Sequence, residues 1–98
     1  MDKILSYITL ARKAGKLSLG YENTRHEIFK GNVQLVLFTP DLSEKKKQSF
    51  KRFCEEWEIK TMDIEHNLDT IEFYIGKRCG IIGIRDSGFA KAILSITL

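Results

Sequence analysis

The chain has 98 residues, 43% of them hydrophobic, which suffices for one core of moderate size and argues against two domains. Sixteen Lys and Arg against thirteen Asp and Glu leave a net charge of +3, which permits an anionic partner without requiring one. No apolar run approaches the roughly 18 residues of a membrane span. No secretory signal is visible, and Cys54 and Cys79 lie in no CxxC or Cys/His cluster. The expectation is a soluble cytoplasmic protein with reduced thiols and no membrane partner.

In chain order, Ile4, Leu5, Ile8 and Ala11 recur at helical spacing, and Gly15 supplies a stop, so a first helix ends in the basic cluster Arg12, Lys13, Lys16. A short segment, Leu17 to Leu19, leads to Gly20. A second helix follows with Tyr21, Thr24 and Ile28 on one face and Gly31 as its cap. Val33 to Phe38 is a nearly continuous run of β-formers, as expected of a central strand covered on both faces. Pro40 ends it. Asp41 or Ser43 can cap a third helix whose buried stripe reads Phe50, Phe53, Cys54, Trp57, with a strongly charged opposite face. Ile59 to Ile64 reads as a shorter strand, Leu68 to Ile75 as a helix closed by Gly76, and Gly80 to Ile84 as a second buried strand. A last helix begins after Asp86 or Ser87 and carries Phe89, Ile93 and Ile96 inward. Helices and strands thus alternate over 1–98 without linker or repeat. The pattern predicts a single α/β domain with helices on both faces of one sheet.

Chemistry concentrates at Gly20. The first turn of a helix presents unpaired N–H groups and a partial positive charge, suited to phosphate or to a base edge. Asn23 offers a donor and an acceptor, Thr24 a hydroxyl, and Arg25 and His26 charge one turn on. The alternative is an ordinary cap with Tyr21 and Thr24 packed inward, and these residues alone leave both readings open. Arg12, Lys13 and Lys16 would enlarge the site if the fold brings them to the same edge. The Ile84 to Phe89 loop follows a buried strand, where open sheets commonly place binding loops. Lys45, Lys46, Lys47, Lys51 and Arg52 form a basic run bracketed by Glu44, Glu55 and Glu56; pairs such as Lys51 with Glu55 make it read as a solvated face. His26 and His66 lack metal-ligand spacing, and no phosphate loop or activated nucleophile is evident. The expectation is no metal, no cofactor and no enzymatic activity.

The stretch LGYENTRHEIFKGNVQLVLF, Leu19 to Phe38, resembles the second helix and following strand of the kink-turn RNA-binding ribosomal-protein superfamily. LARKAGKLSLGYE, Leu10 to Glu22, and IRDSGFAKAI, Ile84 to Ile93, resemble the signature segments of its bacterial YlxQ-type branch. The resemblance covers nearly the whole chain in order. It implies a three-layer α-β-α sandwich around a mixed sheet of about four strands, no catalysis, and recognition of bent, structured RNA such as ribosomal RNA. Ribosomal or translation proteins are further implied partners. A bend exposes base edges that a regular A-form groove hides.

Carried over by position, Gly20 matches the close-approach glycine, Asn23 the guanine-reading Glu or Gln, and Thr24 the following threonine. Glu22 stands where the family has Asn or Lys, and His26 where it has Lys. The implied RNA-binding set is therefore Gly20, Tyr21, Glu22, Asn23, Thr24, Arg25 and His26, with Arg12, Lys13 and Lys16, and with Arg85, Asp86 and Ser87 from the loop before the last helix. A protein-interaction module on the same fold, with weakened RNA binding, is the alternative.

Overall fold

Alternation of apolar stripes becomes, in the computed structural model, which describes residues 2–96, the order α1 Lys3–Lys13, β1 Leu17–Leu19, α2 Tyr21–Phe29, β2 Leu35–Phe38, α3 Glu44–Glu56, β3 Lys60–Asp63, α4 Leu68–Ile75, β4 Ile81–Ile84 and α5 Ser87–Ile96. The strands form one mixed sheet in the order β1-β4-β2-β3. β4 runs antiparallel to β1 and β2, while β2 and β3 are parallel, as the α3 crossover between them demands.

Side chains on β2 alternate between two cores. Leu35 and Leu37 meet Leu5, Ile8, Ile71 and Ile93 from α1, α4 and α5; Val36 and Phe38 meet Ile28, Phe50 and Cys54 from α2 and α3. Burial on both sides explains why this strand carries no polar alternation, and each such aliphatic side chain contributes about 1.5–3 kcal/mol. The expected three-layer sandwich is the observed one.

One close approach sets how α2 lies on the sheet. A Cβ on Gly83 would stand 2.2 Å from Ser18 Oγ and 2.9 Å from Thr24 Cγ2, so only glycine admits the helix at this depth. Thr24 fills the space, fully buried, and its hydroxyl donates to the Ser18 carbonyl at 3.3 Å and accepts from Ser18 Oγ at 3.1 Å.

Several details depart from the sequence expectation. Ser43 caps α3 by accepting from Lys46 N–H, whereas Asp41 reaches across to accept from Leu68 N–H at the start of α4. Trp57, expected inside with Phe50, is 44% exposed, because α3 ends at Glu56 and the chain turns there, with Glu58 at φ 56°. Tyr21 also stays partly outside and sets its ring edge against Phe50, 5.2 Å between centroids. Among the described residues the expected Lys51–Glu55 ion pair does not form; Lys47 instead bridges Glu44 and Asp63.

Candidate nucleic-acid interface

Four helices begin under a side chain that accepts a first-turn N–H: Asp2 for α1, Ser43 for α3, Asn67 for α4, and Asp86, bound to Phe89 N–H at 2.8 Å, for α5. α2 differs. Its cap is Gly20, and none of the described side chains covers its first turn. Gly20 holds φ +91°, a backbone angle L residues avoid, and the place its Cβ would take is open, with no atom within 4 Å. The N–H groups of that turn therefore face outward with the positive end of the helix dipole behind them.

This turn opens on a groove of about 720 Å³ lined by Gly20, Tyr21, Glu22, Leu42, Lys45, Lys46, Ser49, Gly80 and Ile81. Tyr21, Leu42 and Ile81 give it apolar surface, and the start of α3 supplies cationic groups opposite α2. Neither Lys45 nor Lys46 pairs with a carboxylate among the described residues, in contrast to Lys47. Next to the turn lies Cys79. Burial raises its thiol pKa, while Lys77, the Gly20 backbone and Arg12 draw it back. Arg12 is further anchored by donating its Nε–H to the Ile75 carbonyl at 3.2 Å.

Of the residues singled out from the sequence, the structure brings together Gly20, Tyr21, Glu22 and exposed Asn23, while Arg12, held at the Ile75 carbonyl, does not line the groove. Thr24 is a correction: its hydroxyl is bonded to Ser18 inside the protein and is not offered to a ligand. Arg25 turns away, its guanidinium 5.5 Å and 5.4 Å from the ring centroids of Phe29 and Phe53. His26 is exposed on the second turn and Lys13 on the last turn of α1, and neither lines the groove.

Lys16 and the Arg85 to Ser87 loop lie elsewhere. Gly20 N–H bonds the Ile81 carbonyl, at the start of β4, whereas Arg85 N–H bonds the Lys16 carbonyl at the strand's other end. β1 runs between them, so Lys16 and Gly20 are roughly 13 Å apart at strand rise. The antiparallel pairing of β1 with β4, invisible in the one-dimensional pattern, is the reason these segments do not join the turn. Arg85 instead binds Glu27, and Asp86 caps α5.

The sequence reading missed Gly80, gave Lys45 and Lys46 only a minor role, and held Lys77 useful for phosphates only if it lay near the basic patch. Their signal was present as basic residues, but the glutamates around α3 made its lysines look like one solvated face, and only the fold separates paired Lys47 from the other two. No group of three or more His, Cys, Asp or Glu is arranged to hold a metal, and no helix is long and apolar enough to cross a membrane, among the described residues.

Comparison with known proteins agrees with this geometry. Residues 2–91 match the model of the ribosomal protein L7Ae/L30e/S12e/Gadd45 family. The chain is 33% identical over 90 residues to the RNA-binding protein YlxQ of Enterococcus faecium, covering 92% of this chain and 86% of that protein. Among solved structures it is similar to a protein with unknown function from Bacillus halodurans C, at TM-score 0.89 and 26% identity, covering 98% of this chain and 97% of that one. The Giardia lamblia 15.5kD RNA binding protein shares the fold at TM-score 0.76 and 10% identity, covering 98% and 86%. The chain belongs to the ribosomal protein L7Ae/L30e/S12e/Gadd45 family.

Proposed function

We propose that this protein works as one RNA-binding domain that holds a bend of the kink-turn type in structured, ribosomal RNA, and does so without catalysing a reaction. The observation that carries the reading is the uncapped first turn of α2, facing a groove whose opposite wall supplies Lys45 and Lys46. Family membership and the RNA-binding relative support it.

In this reading Gly20 lets a nucleotide strand approach the helix end, and the free N–H groups meet phosphate or base edge. Asn23, exposed one turn in, presents both a donor and an acceptor to a base. Lys45, Lys46, Lys77 and Arg12 supply the phosphate contacts that His26 in place of a lysine forgoes. Glu22 lines the same groove, and its carboxylate repels phosphate while accepting from exocyclic amino groups, which favours a base over a backbone at that point. Thr24 acts from inside by fixing α2 on the sheet.

The test is titration of a labelled kink-turn RNA and a matched straight duplex, at two salt concentrations, with wild type and Asn23→Ala. Preferential binding to the bent RNA is expected, with a log–log salt slope of roughly −3 for about four phosphate contacts. Asn23→Ala should cost about tenfold or more in affinity for the bent RNA. Equal binding to both RNAs, or none, overturns the reading.

A further inference from the structure

The groove at Gly20 does not end at Tyr21. Its ring meets Phe50, Phe50 meets Phe53 at 5.7 Å, Phe53 meets Phe29 at 5.6 Å, and Phe29 meets Trp57 at 5.2 Å between centroids. This row follows the seam between α2 and α3. Its inner members belong to the core, but Phe29 and Trp57 keep 52% and 44% of their surface exposed, an unusual outlay of large aromatic surface for a small domain. Arg25 lies over the rings of Phe29 and Phe53, and among the described residues no carboxylate pairs with it.

We infer that this seam is a second part of the RNA site and takes a short single-stranded segment leaving the bend, its bases stacked on Phe29, Trp57 and the Arg25 guanidinium. The inference rests on the RNA-binding reading above. Three observations favour RNA over a protein partner. The exposed rings connect to the groove through the buried Phe50, whose contact with Tyr21 sets that ring at the groove's lip. Cationic groups without carboxylate partners mark its course, Lys45 and Lys46 at the upper end and Arg25 midway. Aromatic rings combined with an arginine plane form the platform on which unpaired bases stack, whatever their sequence.

The seam also has an end. Tyr21 and Phe29 are separated by about 12 Å of helix rise, which accommodates about three nucleotides at the roughly 3.4 Å per nucleotide of a stacked strand. On either side of Trp57 the chain carries Glu55, Glu56 and Glu58, whose charge repels phosphates at this end of the seam.

Trp57 is the only tryptophan, so the protein reports on its own seam. The full chain would be titrated with a blunt kink-turn RNA and with the same RNA carrying about three unpaired nucleotides on its 5′ or its 3′ side, the length the seam admits. Binding would be followed by anisotropy of the RNA and by Trp57 emission. One extension should tighten binding by about tenfold and quench Trp57, and the blunt RNA should do neither. Arg25→Gln, a surface change, and Phe29→Leu, which keeps an apolar filler, should each remove most of that gain while leaving affinity for the blunt RNA unchanged.

Binding of the blunt bent RNA with no gain and no quenching from either extension would overturn the inference alone, leaving the seam as a face for a protein. A gain without quenching would overturn it as well, since the added bases would then sit elsewhere. Failure of the blunt RNA itself to bind would overturn the underlying reading, and this inference with it.

Discussion

The two ends of α2 treat similar side chains in opposite ways. At its start the first turn has no side-chain cap, and Lys45 and Lys46 face it without a carboxylate partner among the described residues. At its end charge is spent inside the molecule. Glu27, its side chain only 10% exposed, pairs with Arg85 at 3.1 Å and Lys30 at 3.7 Å and accepts from the Asn32 amide at 3.3 Å. Polar groups already satisfied within the chain have little to gain from a ligand, whereas those left in water can exchange water for phosphate and release counterions. Basic residues in this chain are therefore sorted by partner and not by sequence neighbourhood.

The strongest way to break the contrast is to lift α2 off the sheet. Gly83→Val places its Cβ within 2.2 Å of Ser18 Oγ and 2.9 Å of Thr24 Cγ2 and adds methyl groups beyond. The expected cost is about 3 kcal/mol, read as a lower urea midpoint at unchanged slope. Binding to bent RNA should fall as well, since the same shift moves the Gly20 turn relative to Lys45 and Lys46. Unchanged stability would mean that Ser18 and Thr24 rotate away freely and do not fix the helix.

How much of this was legible before folding follows from the range of each signal. The strands Leu35–Phe38 and Ile81–Ile84 and the stripe of α1 were visible because apolar periodicity is local. Gly20 stood out for the same reason, since a glycine before a helix is a local cue. Thr24 shared a helix face with Tyr21 and Ile28, which left its inward packing open, and it was the carry-over by family position that offered its hydroxyl to RNA. Trp57 fitted the stripe of α3, but a stripe says nothing about where the helix stops covering the core. The placement of Arg85 depended on which strands pair and in which direction, and Lys46 could be told from Lys47 only by the position of Asp63 on β3. Periodicity carries the layers; pairing between distant segments carries the site.

A milder perturbation acts on the open end alone. Lys45→Ala with Lys46→Ala removes two cations that make no ion pair among the described residues, so folding stability should change by less than about 0.5 kcal/mol. If both contact phosphate, the log–log salt slope for bent RNA should become shallower by about 1.5, and affinity should fall for all sequences alike. Lys47→Ala is the comparison, because that ammonium is held by Asp63 at 3.2 Å and Glu44 at 3.8 Å. It should leave the slope where it was. Equal effects from the two variants would show that the wall of α3 acts only through net charge.

The smallest effect belongs to the closed end. Glu27→Gln keeps the shape and the hydrogen-bond acceptor but removes the charge opposite Arg85 and Lys30. The Asn32 amide, aided by Arg85 and Lys30, holds the Glu27 carboxyl below its ordinary value of 4.5. A carboxylate whose pKa is lowered by folding adds stability above its unfolded pKa, and that contribution is lost as pH falls through the folded value. Wild type should therefore melt above Glu27→Gln at neutral pH, and the gap should close on acidification below about 4.5. RNA affinity at neutral pH should be the same for both, because the Glu27 carboxylate is turned inward to Arg85 and Asn32, away from both the Gly20 turn and the Phe29–Trp57 seam. A loss of RNA binding in Glu27→Gln at full folding would show that the charge held inside by Arg85 and Asn32 also serves the ligand, and would dissolve the distinction between satisfied and open polar groups on α2.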